Sequence, residues 1–153
     1  MKHSTNRTKG YTLIELMVVV VTISLLLGLS LNGLYNLIQW SKLNRAAAIL
    51  SSELKNTQSR AFYEGAYYKI DFWAPLDRYR IYKQSEVYKD IELKDINLFN
   101  TNFTNNKVYF YPNGVPSMGG TVTLKNKRGK ILYVIMTPVT ARVRVSPDPP
   151  ENW

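Results

Sequence analysis

Between Glu15 and Lys42 the chain carries no charged residue. No other feature constrains the fold as tightly. About 20 apolar residues are enough to cross a bilayer as a helix, and Leu16 to Ile38 meets that length. The apolar part is densest from Leu16 to Leu29, and a short basic leader precedes it. A secretory signal places small residues of the A-x-A kind after its apolar part. Here Ser30-Leu31-Asn32-Gly33-Leu34 follows, which does not fit that pattern. The apolar run is therefore expected to remain in the mature protein. One carboxylate, Glu15, stands at its start. An ionised carboxylate in hydrocarbon is costly and marks a functional site by default. The alternative is a carboxylate solvated among the headgroups.

The residues Gly10-Tyr11-Thr12-Leu13-Ile14-Glu15 resemble the class III signal of type IV pilins and pseudopilins. The resemblance covers about the first thirty residues. In that family a membrane-bound prepilin peptidase cuts after the glycine and methylates the new terminal amine, usually on Phe. The resemblance implies cleavage between Gly10 and Tyr11, with Tyr11 then N-methylated. It implies that Glu15 neutralises the terminal amine of a neighbouring subunit as a filament assembles. Opposite charges attract strongly in low dielectric only when both lose water together. The partners implied are the prepilin peptidase, other pilins or pseudopilins, and the cytoplasmic membrane.

Length and charge set further bounds. The chain has 153 residues, which suggests one domain beside the anchor. The expected organisation is a leader at 1–10, an N-terminal helix at 11–64 that spans the membrane in its first half, and a β-rich head at 65–153. The formal charge is +9, of which the leader supplies three through Lys2, Arg7 and Lys9. Those charges should hold the N-terminus in the cytoplasm. The head would then lie on the outer side of a single-pass protein of the cytoplasmic (inner) membrane. Its filament would stand at the cell surface or in the periplasm. There is no cysteine, so neither a disulfide nor a thiolate site is available.

Beyond the apolar run, Leu43, Ala47, Leu50, Leu54, Thr57 and Ala61 recur at steps of four and three. This predicts a narrow buried helix stripe. Gly65 suits the position just past the helix end. Gly28, Asn32 and Gly33 weaken the middle of the helix, by about 1 kcal/mol for each glycine. A local melting near Gly28 is one reading. Close backbone approach between helices is the better supported one.

From Ala66 the period changes to two. Strands are predicted at 67–72, 78–83, about 87–93, 107–111, 121–125, 131–136 and 141–145. An Asn-rich loop is predicted over 100–106, and a mobile tail over 146–150. Alternation places most of the eleven tyrosines in the strand core. A long helix followed by short antiparallel strands gives an α+β fold. The second half also resembles, more loosely, the heads of minor pseudopilins of the type II secretion H group and a minor pilin of Gram-positive competence pili. The residues concerned are Phe110-Tyr111-Pro112-Asn113-Gly114, Gly119-Gly120 and Ala141-Arg142-Val143-Arg144.

Few side chains could do chemistry. The one histidine, His3, lies in the leader. Without His or Cys a mature chain lacks the commonest general base and the commonest soft nucleophile, so no enzyme, cofactor or metal is expected. Asp90, Glu92 and Asp95 are interleaved with Lys89 and Lys94, which suits a solvated edge better than a calcium loop. The basic region is the stronger signal. No acid lies between Asp95 and Asp148, whereas Lys107, Lys125, Lys127, Arg128, Lys130, Arg142 and Arg144 do. Lys125, Lys127, Arg128 and Lys130 gather at one predicted hairpin tip. Arg142 and Arg144 share one side of a strand. Such a surface can contact the phosphates of double-stranded DNA. In DNA-binding minor pilins a Gly-Arg-x-Arg motif does so; here Ala141 replaces its glycine. A solvated basic face that keeps the domain soluble, or that meets acidic neighbours in the filament, is the plainer alternative. The basic region makes a filament subunit for DNA uptake in competence the expected function, with type II protein secretion as the alternative.

Overall fold

The structure is a computed structural model and describes residues 11–138 and 142–150, with 29–32 described by backbone alone. It contains one α-helix and eight strands among these residues: α1 (Leu13–Glu64), β1 (Tyr68–Trp73), β2 (Arg78–Lys83), β3 (Glu86–Glu92), β4 (Ile96–Thr101), β5 (Lys107–Phe110), β6 (Gly120–Asn126), β7 (Ile131–Met136) and β8 (Val143–Ser146). The described residues divide into two units, one up to Leu37 and one from Ile38 onward.

In the first unit every described side chain from Tyr11 to Gly28 is exposed. A helix that is apolar all round and uncovered by its own chain has the surface of a membrane span or of a helix packed among others. It is long and apolar enough to cross a membrane. Two of its hydroxyls are satisfied within the helix. Thr22 donates to the carbonyl of Val18 at 2.9 Å and Ser24 to that of Val20 at 2.7 Å. This is what hydrocarbon demands of a polar group. The helix runs through Gly28 and Gly33, where an added Cβ would meet nothing within 4 Å.

In the second unit the expected stripe forms. Leu43, Ala47, Leu50, Leu54, Thr57 and Ala61 are all buried. α1 ends in a Schellman motif. The Ala66 N–H donates to the Ala61 carbonyl at 3.2 Å and that of Gly65 to Phe62 at 3.4 Å, with Gly65 at φ +58°. Only glycine takes that left-handed turn without steric cost.

The strands form two antiparallel four-stranded sheets, ordered β3-β2-β1-β5 and β4-β6-β7-β8. Alternate residues of each sheet join the helix stripe in one core: Tyr68, Ile70 and Phe72 from β1, Tyr79 and Ile81 from β2, Val122 and Leu124 from β6, Leu132 and Val134 from β7. Phe72 and Phe103 stack at 5.4 Å between ring centres. The Phe103 ring lies where a Cβ on Gly120 would fall, at 2.5 Å, and Pro138 lies 2.6 Å from one on Gly119. The Gly119-Gly120 pair thus serves close packing.

Several expectations are corrected. Asn100 and Thr101 belong to β4, so the expected Asn-rich loop begins only after them. β4 carries a bulge. Leu98 pairs with Leu124, but Asn100 pairs with Thr123, which leaves Phe99 as the extra residue. Ser146 is the last residue of β8, paired with Tyr133, rather than the start of a tail. Ala141 lies outside the described residues. Only Tyr68 and Tyr79 among the tyrosines are buried. Most others are exposed because they occupy outward strand positions and helix ends, where ring and hydroxyl can divide between protein and water.

Candidate functional site

Two regions carry the residues singled out in the sequence. The first is the start of α1. Thr12 is its N-cap and Glu15 the third residue of its first turn. The backbone N–H of Thr12 donates to Glu15 Oε2 at 3.2 Å, and its hydroxyl donates to the same oxygen at 3.3 Å. The Glu15 N–H returns a bond to the Thr12 hydroxyl oxygen at 3.3 Å. This is a capping box, two orphan donors satisfied reciprocally. It holds the carboxylate toward the N-terminal end of the helix, on the side of Tyr11. The T-x-x-E spacing was visible in the sequence, but its capping role was not read there. Gly10 lies outside the described residues.

The second region is the basic part of the head. The structure separates what the sequence treated as one surface. Lys125 and Ile131 are opposite each other beside the β6–β7 turn, whereas Arg144 is opposite Ile135. Four residues along β7 put about 13 Å between these positions. Lys125, Lys127, Arg128 and Lys130 therefore sit at one end of the sheet, and Arg142 and Arg144 at the other. The two arginines border a small cleft of about 300 Å³ with Ile135 and Thr137.

The turn that bears the four basic residues is rigidly built. Asn126 is buried, and its Oδ1 accepts the backbone N–H groups of Arg128 and Lys130, each at 3.0 Å. Its amide donates to the Gln39 carbonyl at 3.2 Å, which ties the turn to α1. Lys127 is ion-paired with Asp95, which also accepts from Lys42 at 2.7 Å. Hydrogen bonds from Lys127 and then Lys42 hold the Asp95 carboxyl down to about 2. At the far end of the helix, Lys83 and Tyr68 donate to Glu64 at 2.7 Å each. They hold that carboxyl at about 2 as well. The expected acidic cluster is dispersed. Asp90 pairs with Arg80 at 2.8 Å, and Asp95 serves the turn. Among the described residues no group of three His, Cys, Asp or Glu could hold a metal ion.

Sequence reasoning missed Asp77 and Phe99. Asp77, at φ +47°, accepts the Leu98 N–H at 2.8 Å and the Asn97 amide at 3.2 Å, joining the first sheet to the outer edge of β4. Phe99 is 60% exposed, with the Lys125 ammonium 5.1 Å from its ring centre.

Comparison with known proteins agrees with this geometry. Residues 5–31 match the model of the prokaryotic N-terminal methylation motif. Among curated proteins none matches the chain by sequence. Among solved structures the fold is similar to the minor pseudopilin EpsH from the type 2 secretion system of Vibrio cholerae. The TM-score is 0.58 at 11% identity, over 69% of this chain and 96% of that one. The chain thus joins an N-terminal methylation motif to a pilin-like fold.

Proposed function

We propose that this chain is a minor structural subunit of a type IV pilus-like filament, cut between Gly10 and Tyr11, methylated on Tyr11 and joined to its neighbours through Glu15. The observation that carries this reading is the methylation motif running into a helix whose side chains from Leu13 to Gly28 its own chain leaves uncovered. The capping box supports the role of Glu15, since it orients the carboxylate toward the end where a terminal amine would arrive. The leader charges support a single pass through the cytoplasmic membrane with the head outside. The pilin-like fold and the lack of His and Cys after the leader support a structural rather than an enzymatic role.

The setting favoured is a protein-secretion pseudopilus, because the head shares its fold with a minor pseudopilin of a secretion system. DNA uptake is the second reading, supported by the four basic residues gathered at the β6–β7 turn. Expression with a prepilin peptidase, followed by mass spectrometry of the N-terminus, tests the first proposal. The expected first residue is Tyr11 carrying one added methyl group. A chain that still begins at Met1, or that begins beyond Gly33, overturns it.

A further inference from the structure

The bulge in β4 sets Phe99 apart. An extra residue in one strand re-aims a side chain and is found beside functional sites. Residues 96 and 98 point into the core before the bulge, and 101 after it. Phe99 is left outside on an edge strand, with most of its surface in solvent. It borders a cleft of about 640 Å³ that Pro75, Asp77, Asn97, Lys125, Lys127 and Gly129 also line. That volume is within the range of about 300–1,000 Å³ usual for ligand sites. Lys125 stands over the ring, and Lys127 borders the same cleft.

From this arrangement we infer that the cleft binds single-stranded nucleic acid, with one base stacked on Phe99 and its phosphates on Lys125 and Lys127. The inference rests on the DNA-contact reading and names its site and the form of its ligand. An interior base of an undistorted duplex has both faces covered by its neighbours, so an unpaired base lies on Phe99 without the cost of unstacking. Stacking on an aromatic ring needs no particular base, and ammonium groups track the backbone. Four cations lie within six residues of the turn, two of them, Lys125 and Lys127, on the cleft itself, against Asp77 in its lining and Asp95 paired with Lys127. That balance suits a polyanion better than a peptide bearing one carboxylate. Arg142 and Arg144, at the other end of the sheet, take no part.

The test uses the full chain in detergent micelles and measures anisotropy of a labelled oligothymidine, a duplex of equal length and a Glu-rich aromatic peptide across a salt series. The single strand should bind more tightly than the duplex. Phe99→Ala should weaken single-strand binding about tenfold, and Phe99→Tyr should retain it. Lys125→Ala should lower the salt slope by about 0.7. Phe99→Leu, which keeps apolar bulk without a ring, should match the alanine variant and guards against misfolding. Equal binding by wild type and both ring-less variants overturns the inference and leaves the DNA reading standing. Absence of salt-sensitive binding to either nucleic acid overturns both. Binding of the peptide alone assigns the cleft to a protein partner and overturns the inference.

Discussion

Thr12 and Glu15 each complete the other's hydrogen bonding, so removing either leaves an amide at the helix start without its partner. Losing such a cap costs about 1 kcal/mol. Thr12→Ala should therefore speed exchange of the Glu15 amide about fivefold in micelles, and Thr12→Ser should restore protection. Unchanged exchange would show that the box contributes nothing to the helix start. Gly120 is the other residue with a sharp expectation. A Cβ there would meet the Phe103 ring at 2.5 Å, too close for any real contact. Phe103 is itself buried, so it has little room to yield. Gly120→Ala should destabilise the head by about 1–3 kcal/mol, read as a lower denaturant midpoint with an unchanged slope.

At the scale of elements, the helix stripe follows directly from spacing: the six positions recurring at steps of four and three are all buried. Leu50→Ala should cost about 2–5 kcal/mol, while Ile49→Ala, on the exposed side of the same turn, should change stability far less. Equal losses would mean that the stripe is not the packed face. The paired strands β1 and β2, β6 and β7 were similarly legible, because apolar residues alternate and a turn separates each pair. β4 was not legible. Its bulge shifts the inward positions from even to odd numbers, so Ile96, Leu98, Thr101 and Phe103 follow no single period and read as loop. The exposed tyrosines were misread for a related reason: alternation shows which residues share a face, not which face meets the core. Of the candidate sites, the start of α1 was readable from a contiguous motif. The cleft at Phe99 depends on β4, β6 and the link after β1 meeting in space, which spacing along the chain does not reveal.

For the whole molecule, acid should act through two carboxylates that fasten distant segments. Asp95 joins α1 to the β6–β7 turn, and Glu64 joins the end of α1 to β2. Their folded pKa values are held near 2, below the ordinary 3.8 and 4.5. Their contribution is therefore complete above about pH 5 and fades as pH falls from there toward 2. The melting midpoint should drop over that window. In Asp95→Asn it should start lower at neutral pH and fall less on acidification; an identical pH profile in the variant would remove Asp95 from the account. The carboxylate of Asp77 carries a different consequence. By accepting the Leu98 amide it occupies a hydrogen-bonding position on a strand that ends its sheet. An incoming strand from a second molecule finds that donor already taken, so the head can be crowded against its neighbours without zipping onto them through β4.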